Sequence, residues 1–118
     1  MMRILPALIL QTGLSITAHA DTTAGIEIQS LIQAVADSNC EFDRHGKLYS
    51  AEKAAEHLEL KYARGKRYAD SAEAFIEHLA SKSSWSGKPY WMICDGDKAP
   101  SADWLLAGLE IIRSRYLR

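Results

Sequence analysis

Apolar residues recur three or four positions apart in four segments of the chain, which is the spacing of amphipathic helices. Each segment is preceded by side chains whose oxygens can cap free backbone amides, namely Thr22-Thr23, Ser50, Asp70-Ser71 and Ser101. The predicted apolar stripes are Ile28, Leu31, Ile32 and Val35; Ala51, Ala54, Ala55, Leu58 and Tyr62; Ala72, Phe75, Ile76 and Leu79; and Leu105, Leu109, Ile112 and Tyr116. Gly65 is predicted to end the second helix.

Shorter segments between these helices have strand character. Two of them flank His45-Gly46, where glycine can take a positive φ, and this predicts a tight hairpin. Pro89–Cys94 predicts a third strand with alternating faces, and Asp95–Pro100 has the composition of a loop. The predicted order is α-β-β-α-α-β-α. We therefore expect a single small α+β domain in which helices pack on a short, mainly antiparallel sheet of three strands.

The first twenty residues have the pattern of a secretory signal peptide. Arg3 supplies a positive start, and the apolar run Ile4–Ile16 is too short to cross a bilayer. Ala18-His19-Ala20 forms a small-x-small cleavage site. We predict that residues 1–20 are removed and that residues 21–118 form the domain. The domain is expected to be soluble in an oxidising compartment, with no membrane span.

Cys40 and Cys94 are the two cysteines, and both follow the predicted cleavage site. An even pair in an exported chain predicts a disulfide. The bond would close a loop of about 55 residues and stabilise the fold by roughly 4 kcal/mol. It would also make the first and last predicted strands neighbours. Two free thiols or a metal pair are the alternatives, although His45 as the one nearby histidine gives a poor zinc site.

The charge of the chain is nearly balanced, with 14 basic and 15 acidic residues and a formal net charge of −1. Binding to nucleic acid needs a strongly basic face, so we expect no nucleic-acid partner. No H-x-x-x-H or H-E-x-x-H spacing indicates a metal site, and no cofactor is expected. A weak alternative is a metal held between the second and third helices by His57 and His78, with Glu56 and Glu77 as further ligands.

The second helix carries the first candidate site. His57 and Lys61 lie four residues apart, so an imidazole and an ammonium share one helical face and could bind an anion or lower the pKa of the lysine. Alternatively, His57 is a boundary residue bonded to the backbone. Further cations follow at Arg64, Lys66 and Arg67. They are either solvated charges favoured by the helix dipole or a patch for phosphate or carboxylate groups.

The segment Ser83–Tyr90 combines hydroxyl groups, glycine, lysine and aromatic rings. Loops of this composition often recognise ligands, and an exposed Trp85 with Tyr90 could stack on a sugar or an apolar side chain. The alternative is an ordinary helix-to-strand turn in which Gly87 supplies backbone freedom. No catalytic template fits this loop. The candidate binding residues are His57, Lys61, Ser84, Trp85, Ser86, Gly87 and Tyr90.

A combination of short motifs extends over nearly the whole mature chain. The motifs are Phe42, Arg44-x-Gly46 and Tyr49; Ala54-Ala55-x-His57-Leu58-x-x-Lys61; Ser71-Ala72-Glu73-x-Phe75-Ile76; and Ala80-Ser81-x-Ser83-x-x-Ser86-Gly87-x-Pro89-Tyr90. Together they resemble the YfeK-like family of small secreted proteobacterial proteins, a domain of unknown function. The resemblance implies a Gram-negative periplasm and directs attention to His57, Lys61, Ser86, Gly87 and Tyr90. It implies no activity.

These observations favour a periplasmic binding or protein-interaction module of the cell envelope over an enzyme. The expected partner is an envelope protein or a small ligand that contacts the loop and the nearby Lys61 and His57. One alternative is a small hydrolase in which His57 acts as base and Ser84 or Ser86 as nucleophile. Another is an inhibitor that inserts the loop into the cleft of an envelope-degrading enzyme.

Overall fold

The computed structural model describes the backbone of residues 18–116 and the side chains of residues 23–115. Nearly all of the predicted leader, residues 1–20, lies outside this range, so cleavage after Ala20 stays a prediction. The elements are α1 (Ala18–Asp37), β1 (Glu41–Arg44), β2 (Lys47–Tyr49), α2 (Ala51–Arg64), a 3₁₀ turn (Lys66–Tyr68), α3 (Ala72–Phe75) continued by a π-helical turn (Ile76–Ala80), β3 (Trp91–Cys94), β4 (Asp97–Pro100) and α4 (Ser101–Tyr116). Helix α1 begins before the predicted Thr22-Thr23 cap.

The α+β class is confirmed, but the predicted number of strands is wrong. The sheet has four antiparallel strands in the order β2-β1-β3-β4. The strand that was missed is β4, predicted to be part of a loop. It pairs with β3 because Asp95 and Gly96 both have positive φ, 52° and 85°, and form a tight hairpin turn. His45 and Gly46 form the predicted hairpin with nearly the same φ values, 59° and 82°.

The disulfide between Cys40 and Cys94 is confirmed, with 4.5 Å between the two Cα atoms. It lies at one end of the pairing between β1 and β3, in which Phe42 is opposite Met92. The prediction that these strands are neighbours is therefore also confirmed, and they form the centre of the sheet.

The core lies between the sheet and the helices. Helix α2 packs on β1 and β2, α4 packs on β3 and β4, and α1 packs on both α2 and α4. The predicted stripes supply the largest fully buried apolar side chains, together with one residue from each central strand: Ile28, Leu31, Val35, Phe42, Leu58, Phe75, Met92 and Leu105. Within residues 18–116 no helix is both long enough and apolar enough to span a membrane.

The serines at the helix starts have different roles. Ser50 caps α2 as predicted by accepting the N–H of Lys53 at 3.2 Å. Helix α3 is capped by Ser71, one residue after the predicted Asp70. Ser101 is fully buried instead of being an exposed cap. Its hydroxyl donates to the carbonyl of residue 80 and its N–H donates to the carbonyl of residue 90, so it joins three elements.

Candidate functional site: a cationic cleft

A cleft of about 590 Å³ opens between the last turn of α2 and the loop that follows α3. Its volume lies in the range of small-molecule sites. The lining residues come from α2, the 3₁₀ turn, the π-helical turn and the loop: Lys61, Arg64, Gly65, Tyr68, His78, Leu79, Lys82, Ser83, Ser84 and Gly87. Three predicted site residues, Lys61, Ser84 and Gly87, therefore meet in one cleft.

Gly65 and Leu79 both line the cleft, and they pack closely against each other. Helix α2 ends at this residue, as predicted, but its φ of −117° is not left-handed. A Cβ atom at Gly65 would lie 2.8 Å from a methyl carbon of Leu79. A larger residue at this position would require the side chain of Leu79 to shift, since Leu79 packs closely on the backbone and brings the π-helical turn against the end of α2.

The loop is held at its base by backbone hydrogen bonds across its two arms. The N–H of Tyr90 donates to the carbonyl of Ser81, and the N–H of Ser83 donates to the carbonyl of Lys88, both at 2.9 Å. A bridge between Lys82 and Pro89 lies between these two bonds. The loop is therefore a closed, narrow projection beside the cleft.

The tip of the loop is ordered by one serine and one glycine. The hydroxyl of Ser83 accepts the N–H groups of Trp85 and Ser86 at 3.1 and 3.2 Å. Gly87 has a φ of +77°, so it supplies the backbone freedom predicted for it. This turn presents Trp85 with 97 % of its surface exposed.

Ser86 connects the loop to the hairpin between β1 and β2. Its hydroxyl lies 3.4 Å from Nε2 of His45. The predicted base His57 instead contacts Tyr90, edge to face, with 6.1 Å between the ring centroids. Neither Ser86 nor Trp85 lines the cleft itself.

Three basic side chains surround the ring of Tyr90. Nζ of Lys61 lies 5.1 Å from the ring centroid and donates to the tyrosine hydroxyl at 3.3 Å and to the carbonyl of Lys82 at 3.2 Å. The guanidinium of Arg44 lies 5.7 Å from the same centroid, and His57 contacts the ring edge. Tyr90 is only 3 % exposed, so it positions Lys61 and does not form a stacking surface with Trp85.

The surroundings of these side chains disfavour their charged forms. Burial, with the charges of Arg44 and Lys61, lowers the pKa of His57 to about 4. Burial and Arg44 lower the pKa of Lys61 to about 8. Burial also raises the pKa of Tyr90, against the opposing effect of Arg44. Nε of Arg44 and Nε2 of His57 are buried without a hydrogen-bond partner in the part of the chain that the structure describes.

Metal binding has no support in the same region. Between residues 18 and 116, no three His, Cys, Asp or Glu side chains are grouped so that they could hold an ion. His78 lies in the cleft wall, whereas His57 packs on Tyr90.

Several residues of this site were not among the sequence candidates. Arg44 was assigned only to the hairpin region, and Tyr68 and Lys82 were not proposed for binding. His78 was considered only as a metal ligand together with His57. A signal for the cleft was present in the cations Lys61 and Arg64 at the end of α2, which the sequence left open as a phosphate or carboxylate patch. The remaining residues become neighbours only through the tertiary packing around Gly65.

Comparison with known proteins gives a family but no activity. An uncharacterised protein, YfeK, from Salmonella typhimurium strain LT2 is 38 % identical over 80 residues, which cover 65 % of this chain and 67 % of that protein. No solved structure matches the chain. The profile of the family of unknown function DUF5329 matches residues 22–113. The chain therefore belongs to the DUF5329 family, as its resemblance to YfeK-like proteins implied.

Proposed function

We propose that this protein is a periplasmic binding module of the cell envelope that takes an acidic carbohydrate in the cationic cleft. The observation that carries the proposal is the charge of the lining. Lys61, Arg64 and Lys82 line the cleft, and no Asp or Glu is among the lining residues that the structure describes. A carboxylate or phosphate entering the cleft would meet only cationic and neutral groups.

The exposed Trp85 supports a carbohydrate as the neutral part of this ligand. The indole is 97 % exposed at the tip of a loop in which Ser84 and Gly87, one and two residues away, line the cleft. An indole offers a large apolar face at a low cost in side-chain entropy, and such faces stack well on sugar rings. One ligand could therefore place its charge in the cleft and a sugar face on Trp85.

The proposed periplasmic location of the protein rests on two other observations. The predicted leader would direct the chain across the inner membrane, and the Cys40–Cys94 disulfide is typical of an oxidising compartment. The periplasm satisfies both conditions.

The two alternative functions have less support. A hydrolase needs His57 within hydrogen-bond reach of a serine hydroxyl, but Ser86 approaches His45 and the pKa of His57 lies near 4. An inhibitor that inserts the loop into an enzyme cleft would use the exposed Trp85, but it would leave the cationic cleft without a role.

Titration with small sugars tests the proposal. Glucuronate or glucose 6-phosphate, added to ¹⁵N-labelled protein, should shift the amide signals of the Ser83–Lys88 segment and the indole signal of Trp85, whereas glucose should have a much smaller effect. The double variant Arg64→Gln/Lys82→Gln should weaken binding of the acidic sugars by about tenfold or more, because charge-assisted hydrogen bonds are lost. Trp85→Ala should weaken binding of the sugars but not of inorganic phosphate.

Lys53→Gln is the matched control because Lys53 is an exposed cation at the other end of α2. Equal effects of Lys53→Gln and of the double variant would reduce the interaction to general charge attraction and would contradict a specific cleft. Unchanged binding after both Trp85→Ala and Lys61→Ala would also contradict the proposal.

A further inference from the structure

Lys61 has the surroundings of a reactive amine as well as those of an anion-binding group. Lys61 lines the cleft, and its Nζ is held by two hydrogen bonds, to the carbonyl of Lys82 and to the hydroxyl of Tyr90. A side chain held in one position at the wall of an open cleft can meet a bound ligand in a defined geometry.

The groups that face Lys61 from every packed element are cationic or neutral. They are Arg44 from β1, His57 and Arg64 from its own helix, Lys82 from the loop, and Tyr90, which directly precedes β3. Among the residues that the structure describes, no carboxylate lines the cleft or forms an ion pair with Lys61. Burial and the charge of Arg44 lower the pKa of the lysine to about 8.

The low pKa changes the chemical species present at neutral pH. A lysine with this pKa has roughly a quarter of its amine neutral at pH 7.5, whereas an ordinary exposed lysine has about one in a thousand neutral. Only the neutral amine carries the free electron pair that attacks a carbonyl carbon, and lysines near other cations are activated in this way in known enzymes.

We propose that Lys61 captures a small aldehyde or ketone that carries an acidic group, as an imine in the cleft. The inference rests on the proposed binding of acidic ligands, since Arg64 and Lys82 would hold the carboxylate or phosphate of the same molecule. Open-chain forms of acidic sugars and small oxo-acids belong to this class of ligand.

The reaction needs no oxidant, reductant or metal. The amine nitrogen forms a bond to the carbonyl carbon, and the electron pair of the C=O π bond moves to oxygen. The nitrogen transfers a proton to that oxygen through solvent. The hydroxyl then leaves as water with the second amine proton, and a C=N bond remains. One amine and one carbonyl thus give one imine and one water.

Reductive trapping tests the inference on the mature, disulfide-bonded protein. The protein is incubated with glyoxylate and sodium cyanoborohydride, and the adduct is located by peptide mass mapping. We expect Lys61 to be labelled at least about tenfold faster than Lys53, because far more of its amine is neutral. The labelling rate at Lys61 should rise with pH and reach half of its plateau near pH 8.

Three comparisons make the result specific. Lys61→Arg should abolish this label, and Lys53→Arg should leave it unchanged. Acetaldehyde lacks the acidic group and should label Lys61 more slowly than glyoxylate does. Arg64→Gln should remove that difference. Thermal melting of each variant, with the phosphate titration described above, shows whether the fold and the cleft are intact.

Labelling spread evenly over the exposed lysines would overturn the inference. If acidic sugars still bind in that case, the proposed function stands and only the imine chemistry fails. If glyoxylate labels Lys61 selectively but acidic sugars do not bind, the reactive lysine stands and the carbohydrate ligand is wrong.

Discussion

Two arginines, Arg113 and Arg44, are placed in opposite electrostatic environments. Arg113 on α4 forms hydrogen bonds with two carboxylates, Glu27 on α1 at 2.9 Å and Glu73 on α3 at 2.6 and 3.0 Å. It therefore joins three helices. The hydrogen bonds from Arg113 lower the pKa of Glu73, and its carboxylate partners raise the pKa of Arg113 itself.

Arg44 lies over the rings of Tyr49 and Tyr90, at 4.8 and 5.7 Å from their centroids. Its neighbours His57 and Lys61 are further potential cations, and the pKa values of both are lowered. The comparison shows that the Arg113 cluster stabilises the fold through matched charges. The Arg44 cluster retains unmatched positive charge, which is the property a site for acidic ligands requires.

The largest effect is expected where the strands beside the Arg44 cluster are cross-linked. The disulfide ties β1, which carries Arg44, to β3, which follows Tyr90, across a separation of 54 residues. The Cys40→Ser/Cys94→Ser variant should lower the free energy of unfolding by about 4 kcal/mol. Without the cross-link the unfolded chain no longer contains a long closed loop, so its conformational entropy is higher. Urea unfolding measures the change, and the reduced parent protein is the control. Two titratable thiols in the untreated protein would contradict the pairing.

A smaller effect distinguishes the two arginines directly. Arg113→Met should destabilise the fold by about 1 to 2 kcal/mol, because Glu27 and Glu73 lose their partner while solvent screens the partly exposed charges. Arg44→Met should cost less or even stabilise the fold, because it removes repulsion, and it should raise the pKa of Lys61. Denaturant unfolding and the pH profile of Lys61 labelling measure these changes. An equal loss of stability in both variants would refute the contrast.

The smallest effect is a pH dependence at His57. The unfolded histidine takes up a proton below about pH 6.5, whereas the folded one does so only near pH 4. Stability is therefore full above pH 6.5 and falls as the pH drops through this window. Between pH 6.5 and 4, the free energy of unfolding of the His57→Gln variant should fall by about 1 to 2 kcal/mol less than that of the parent protein. This figure is reduced for the solvent screening of a half-buried group. Unfolding at a series of pH values measures the slope.

His78→Gln is the control for this measurement, since His78 is an exposed histidine in the cleft wall. The slope between pH 6.5 and 4 should persist in that variant. A parent protein and a His57→Gln variant with identical slopes would show that the histidine is not held in its neutral form.

The parts of the fold that could be predicted depend on local or strongly patterned signals. The prediction of the apolar helix stripes, such as the one with Ile28 and Leu31, was correct because the helical spacing of apolar residues is visible over a few turns. The prediction of the His45-Gly46 hairpin was correct because its turn depends on two adjacent residues. The disulfide was predicted from the cysteine count and the leader. Strand β4 was missed because Asp97–Pro100 is polar and contains a proline, although Asp95-Gly96 is a strong hairpin signal.

The site was only partly predictable for a different reason. Lys61 and the Ser83–Tyr90 loop were chosen as candidates from residue type and spacing, and the structure places Lys61 against the base of this loop. Their role in binding stays a prediction. Two other features depend on contacts between distant segments of the chain. One is the role of Tyr90 as a buried support for Lys61, and the other is the π-helical turn that places His78 in the cleft wall. The partners of Arg113 lie 86 and 40 residues away, and nothing near Arg113 in the sequence identifies them.

The hydrogen-bonded arms of the loop also bear on the thermodynamics of association. A flexible loop must lose conformational entropy when it binds, and each side chain that becomes fixed costs about 0.5 to 1.5 kcal/mol. Here the bonds from Tyr90 to Ser81 and from Ser83 to Lys88 already fix the backbone, and the hydroxyl of Ser83 fixes the tip. Trp85 is thus presented on a preorganised support, so that most of the ordering needed for recognition is completed when the protein folds.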